Sequence, residues 1–265
     1  MGWDQYRQGI RRIGGDPSAL PTTSKEAADS VAAFVELHIE QGPVLEIEQL
    51  PIGVVTNIVG IRRYRVVLKG QPDHAGTTPM TVRSDAFVAA ARIIDAVSSK
   101  ALAMQVGPHY VVATIGHLVL TPNASNAVPG RVEMMLEVRS DSGDVLQTFC
   151  EPWLETFRPQ VDALRVHLSW TEISRSDPTD CSASVMVQIE EASRMLGHQY
   201  KRMPSGAGHD AAYLAKAGPA GMIFIPCLKG RSHCPEEWVT ADQLQVGCQV
   251  LYQTILKLDQ AIARP

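Results

Sequence analysis

The chain has 265 residues, of which 45% are hydrophobic and 20% charged, and its formal net charge is −4. That length suits one large or two modest domains, and the weakly acidic balance gives no reason to expect nucleic acid or an anionic membrane as partner. No apolar stretch is long enough to cross a bilayer, the opening MGWDQYRQGIRRIGG lacks the apolar core of a secretory signal, and Tyr6 stands where a myristoylation motif wants Ser or Thr. The expectation is a cytoplasmic protein. Cys150, Cys181, Cys227, Cys234 and Cys248 are odd in number and form no CxxC, so they read as buried reduced thiols rather than a disulfide framework or a thiolate zinc site.

The stretch to about Ser24 is polar, carries Gly14-Gly15, and reads as a tail or a surface loop. From Val31 apolar residues alternate: Ala33, Val35, Leu37 and Ile39 fall on one face, Glu36, His38 and Glu40 on the other. That is a strand pattern, with a helix as competitor because of the Ala and Glu content. Gln41-Gly42-Pro43 ends it, and VLEIEQL follows as a short helix. Two strand-like runs come next, IGVVTNIVG and RYRVVLKG, then a helix from about Val82 to Ser98. HYVVATIGHLVL and GRVEMMLEVRS read as strands, VLQTFCEPWLETF as helical, and DALRVHLSW as a strand. Strand, helix, strand, strand, helix, strand is the split βαβ order of a ferredoxin-like domain. SASVMVQIEEASRMLG and HDAAYLAKAG read as helices stopped by Gly197 and Gly218, AGMIFIP as a strand buried on both faces, and the last helix as starting at Thr240 with Gln243 completing a capping box. The expected architecture is an α/β catalytic portion, residues 1–56 and 171–265, with a ferredoxin-like α+β module, residues 57–170, inserted in it.

Polar clusters stand out at ELHIEQGP (36–43), DHAGTTPM (73–80), NASNAVPG (123–130) with Arg139 after it, and GRSHCPEE (230–237) preceded by SGAGHDA (205–211). Each has a plain structural reading. A histidine at a strand end is more often hydrogen-bonded than a ligand, Gly-Thr-Thr-Pro and the Asn-rich loop make good turns, Arg139 could be a surface cation, and Asp210 or His209 could cap the next helix. Two observations favour chemistry. His38 and His233 lie at or beyond the C-terminal edge of expected strands, where open α/β sheets build their sites. Glu36, Glu40, Glu236 and Glu237 flank them as outer carboxylates flank metal-bound imidazoles.

ELHIEQGPVLE, GVVTNIVGIRRYRVVLKGQPDHAGTTPM, NASNAVPGRVEMMLEVRS, SGAGHDA and GRSHCPEEW, in that order, resemble the N-carbamoyl-amino-acid hydrolase and allantoate amidohydrolase branch of the dinuclear metallopeptidases. The resemblance runs from about Asp29 to the end. It implies two divalent metal ions (zinc, manganese, nickel or cobalt), a ureido-acid substrate, and a ferredoxin-like lid through which the protein forms a homodimer. By motif, His38 and His233 would be metal ligands. His74 would act in catalysis on the developing oxyanion of a partner subunit's site. Gln41 and Asn126 would bind substrate, Arg139 would clamp its carboxylate, and Gly230 would leave it room. The pattern also calls for an upstream His-x-Asp bridge and a Glu-Glu pair. Neither stands before His38 here, so the expected site is incomplete. A truncated or split form with little activity alone, with a separate N-terminal half as a candidate partner, is one reading, and a non-catalytic dimerising or small-anion-binding protein is the other.

Overall fold

In the computed structural model, which describes residues 3–18 and 31–262, the first half of the chain runs α1 (Trp3–Arg12), β1 (Phe34–Ile39), α2 (Val44–Ile47), β2 (Ile52–Ile58), β3 (Gly60–Lys69), α3 (Ala86–Met104), β4 (Val111–Thr121) and β5 (Arg131–Ser140). It continues α4 (Gly143–Phe149), α5 (Glu151–Glu155), α6 (Arg158–Asp162), β6 (His167–Ser176), β7 (Thr179–Asp180), α7 (Ala183–Met195), β8 (Tyr200–Ser205), α8 (Ala211–Leu214), β9 (Ala220–Ile225) and α9 (Ala241–Ile262).

Alternation prevails over composition at β1, which is a strand. Val35, Leu37 and Ile39 pack against Ile52, Val54, Ile223 and Ile225 from the sheet, Val185 and Ile189 of α7, and Val250 of α9. Period two then puts Glu36 and His38 together on the opposite face. β1 runs parallel to β9, with His38 beside Phe224. β9 is antiparallel to β2, which pairs with β8 in parallel and with β7 antiparallel, completing a mixed five-stranded sheet. α9 approaches this sheet closely at Gly247, where a Cβ would lie 2.7 Å from Ile225 Cγ2. The capping box at its start forms as expected: Gln243 N donates to Thr240 Oγ1 at 3.2 Å and Thr240 N to Gln243 Oε1 at 2.9 Å.

The second sheet has four strands in the order β4-β5-β3-β6, all antiparallel. This is the ferredoxin-like order that the split βαβ pattern implies. Its core is its own: Val66, Leu68, Met134 and Leu136 meet Ala89, Ala90 and Ile93 of α3 and Phe149 and Leu154 of the later helices.

Several elements differ from the expectation. The polar start holds α1, while residues 19–24 of that stretch lie outside the described residues. α3 starts at Ala86 rather than Val82, because Asp85 caps it by accepting from Phe87 N and Val88 N, and it continues to Met104. The expected helix from Val145 to Phe157 is broken. Cys150 leaves helical geometry at φ −89°, ψ −99°, and Pro152 and Pro159 each open a new helix. HDAAYLAKAG yields only the single turn of α8. β7 and β8 have no counterpart in the sequence reading. Cys150, Cys181 and Cys227 are buried, but Cys248 is exposed on α9. Among the described residues no helix is long and apolar enough to cross a membrane.

Candidate active site

The end of β1 sets the first wall of the site. His38 Nδ1 lies 2.8 Å from Ile39 O, so that nitrogen donates and the lone pair stays on Nε2. Glu40, expected as an outer carboxylate beside His38, turns to the backbone. Its carboxylate is buried and accepts from Val44 N at 2.8 Å and Leu45 N at 2.7 Å, holding the start of α2. Gln41, between them, adopts φ +58°.

The second wall is the 228–237 loop. Gly230 has φ +63°, and a Cβ there would lie 2.6 Å from Gly42 C and Pro43 N. Its contact is with protein backbone, and it does not line the cavity beside His233. His233 also has a positive φ, +58°, and its amide donates to Glu237 Oε2 at 2.9 Å. That bond, with Ser232, holds the Glu237 carboxyl below the usual range. Gln41 Nε2 donates to Ser232 Oγ at 2.9 Å and stands 3.5 Å from His233 Nε2. Left-handed backbone at a non-glycine residue costs on the order of 1–3 kcal/mol, and such residues concentrate at functional sites.

Arg139 arrives from the other sheet. Its Nη1 donates to Gly206 O at 2.8 Å and its Nε to Glu137 Oε1 at 2.7 Å. Burial would raise the Glu137 carboxyl, but bonds from Arg139 and Arg63 outweigh it and hold it low. Gln41, Ser232, His233, Arg139, Gly206 and Tyr110 line a common cavity of about 390 Å³. Tyr110 was not singled out by any sequence signal. It lies just ahead of β4, and its hydroxyl overhangs Gly206, where a Cβ would sit 2.6 Å away.

His74 and Asn126 are elsewhere. Their loops pair through Ala75 N and Asn126 O at 2.9 Å, and neither lines the cavity of Arg139 and His233. His74 Nδ1 accepts from Gly76 N at 3.0 Å and Thr77 N at 3.2 Å, which fixes the hydrogen on Nε2 and leaves it as an outward donor.

The remaining motif, SGAGHDA, contributes a residue that sequence reasoning treated as a helix cap. α8 is capped from a distance: Ala211 N donates to Glu36 Oε2 at 2.9 Å, and Asp210 makes no cap bond. His209 is buried, its ring edge-on to His38 with centroids 4.7 Å apart. Burial, and then the His38 charge, lower its pKa to about 4. Glu36, His38 and His209 bring ligand atoms within 4.8 Å of one another, while His233 is not part of that group. Imidazole and carboxylate donors suit zinc, cobalt, nickel or manganese, so these residues fit a divalent metal.

The model of peptidase family M20/M25/M40 matches residues 9–257. The chain is 39% identical over 254 residues to an N-carbamoyl-L-amino-acid amidohydrolase of Paenarthrobacter aurescens, covering 96% of this chain and 61% of that protein. It is 35% identical to the allantoate amidohydrolase of Bacillus subtilis, covering 86% of this chain and 55% of the relative. A crystal structure of a hydantoinase/carbamoylase family amidase from Burkholderia multivorans superposes with a TM-score of 0.78 at 35% identity, over 85% of this chain and 54% of that one. The chain thus spans between half and two thirds of the length of these relatives. With the match extending over nearly the whole sequence, the chain belongs to peptidase family M20/M25/M40.

Proposed function

We propose that the chain carries the substrate-clamping part of a metal-dependent amidohydrolase that cleaves a C–N bond of N-carbamoyl amino acids, allantoate or related ureido acids. The observation that carries this reading is the cavity in which Arg139, from the four-stranded sheet, meets Gln41 and His233, from the five-stranded one. A forked cation on one side suits a carboxylate. The Gln41 amide, fixed by Ser232, suits a ureido group on the other. His38 would hold metal, and a bound divalent ion would supply Lewis-acid polarisation and a water of lowered pKa. His74, with its hydrogen fixed on Nε2, is formed to donate to an oxyanion.

The four-stranded module, residues 57–170, would act as a lid and dimerisation domain on a catalytic portion formed by 1–56 and 171–265. Two features support a homodimer. His74 and Asn126 do not reach the cavity of their own chain, so a second copy would supply them. The edge strand β4 also exposes Leu118 and Val119. No His-x-Asp stands in the sequence. The bridging carboxylate and general base of a two-metal site would therefore come from outside these 265 residues, and we propose that these residues alone turn over slowly or not at all. The test is equilibrium binding of N-carbamoyl amino acids, allantoate and ureidoglycolate, with ammonia release measured in parallel in the presence of zinc, manganese or cobalt. Binding of the carboxylates supports the reading; a chain that neither binds nor hydrolyses any of them refutes it.

A further inference from the structure

Ser205 is fully buried, and its hydroxyl has three polar neighbours: it donates to Ala207 O at 3.0 Å, accepts from Ala207 N at 3.2 Å, and lies 2.8 Å from His209 Nε2. A serine hydroxyl offers one hydrogen and two lone pairs. With the hydrogen on Ala207 O, its second lone pair accepts from His209 Nε2–H. His209 Nδ1 then carries a lone pair. It stands 3.4 Å from Glu36 Oε1, well beyond the roughly 2.7–2.9 Å of a charge-assisted hydrogen bond. His38, donating from Nδ1 to Ile39 O, presents its own lone pair at Nε2. His209 Nδ1 and Glu36 Oε1 thus face one another as acceptors, with the His38 ring 4.7 Å from the His209 ring between centroids, and the His209 side chain there is only 2% exposed. Unmatched acceptors facing one another in such a setting are unfavourable unless a cation lies between them.

We propose that Glu36, His38 Nε2 and His209 Nδ1 bind one zinc- or cobalt-class divalent ion, with His209 as a third protein ligand and Ser205 as the group that orients it. Each of the three residues brings one ligand atom within 4.8 Å of the other two, and binding would draw these together toward the separation of about 3.3 Å implied by tetrahedral bonds of about 2.0–2.1 Å. Three protein ligands leave a fourth position open for water or substrate. The Ser205 bond to the far ring nitrogen is the arrangement that holds metal-bound histidines in place.

This inference rests on His38 being a metal ligand, as the hydrolase reading has it. The test is imidazole-nitrogen NMR of the isotope-labelled full chain titrated with zinc, with cobalt absorption giving affinity. Zinc should shift His209 Nδ1 and His38 Nε2. His209→Gln should weaken cobalt binding at least tenfold, and Ser205→Ala by about tenfold. Zinc that shifts His38 and His233 while leaving His209 unmoved overturns the inference and leaves the hydrolase reading standing. No binding at millimolar zinc overturns it too. The NMR arm uses the unaltered chain, so it decides even where His209→Gln does not fold.

Discussion

Arg139→Met separates the clamp from the scaffold. The Arg139 side chain is 28% exposed, with Nε on Glu137 Oε1 at 2.7 Å, Nη2 also 2.7 Å from that oxygen, and Nη1 on Gly206 O at 2.8 Å. Five N–H donors are available on a guanidinium, so hydrogens on the terminal nitrogens remain for a substrate carboxylate. Two charge-assisted bonds, reduced for partial exposure, are worth about 2–3 kcal/mol together, or about 30–150-fold in dissociation constant. Methionine keeps the apolar stem, and Glu137 keeps Arg63, so the structural loss is the donor to Gly206 O, about 1 kcal/mol. NMR titration should show an N-carbamoyl amino acid weakened about 30–150-fold, with its primary amide changed by less than about threefold. Equal weakening of acid and amide would mean that Arg139 supports the cavity rather than reading the carboxylate, and the clamp would be wrong.

Gly230→Ala should destabilise the chain by about 2–5 kcal/mol in urea unfolding, because the left-handed φ and the overlap with Gly42 and Pro43 add; a loss under about 1 kcal/mol would show that the loop shifts freely. In the metal-free chain, burial lowers His209 to about 4 when folded, against an ordinary histidine value of 6.5, so between those pH values the unfolded chain holds the extra proton. Stability is then full above about pH 6.5, falls as pH drops, and levels off below about 4, a total of about 3 kcal/mol that His209→Gln should remove from the urea midpoint measured against pH. Leu118→Lys on the open edge of β4 should convert the proposed dimer to monomer in sedimentation; an unchanged mass would place the contact elsewhere.

What could be read from sequence was what local pattern encodes. β5 alternates half-buried and buried along its whole length, and α3 is rich in Ala and Ile with an aspartate at its head, so both were visible without their neighbours. β8 was not. YKRMPS has two cations and a proline, and it is a strand because β2 pairs with it from Ile52 to Ile58. The helix break at Cys150 depends on backbone angles that no periodicity reports. Each site motif was legible alone, but their grouping was not. Glu40 and Glu36 look alike in ELHIEQGP; one caps α2 nearby and the other reaches Ala211, 175 residues away.

The 205–211 loop shows why that grouping matters chemically. Arg139 holds Gly206 O, Ser205 clasps both ends of Ala207 and the ring of His209, and Glu36 holds Ala211 N. Within seven residues the Arg139 side of the site is joined to the imidazole side. A substrate bound as proposed at Arg139 would therefore pull on the same backbone that carries His209. The two sheets have separate cores, and the Arg139–Gly206 bond is one polar tie between them at the site. Polar ties between separately packed units permit movement that a shared apolar core would resist. That is the mechanical property the proposed lid would need, and the Arg139–Gly206 bond would be one of its anchors.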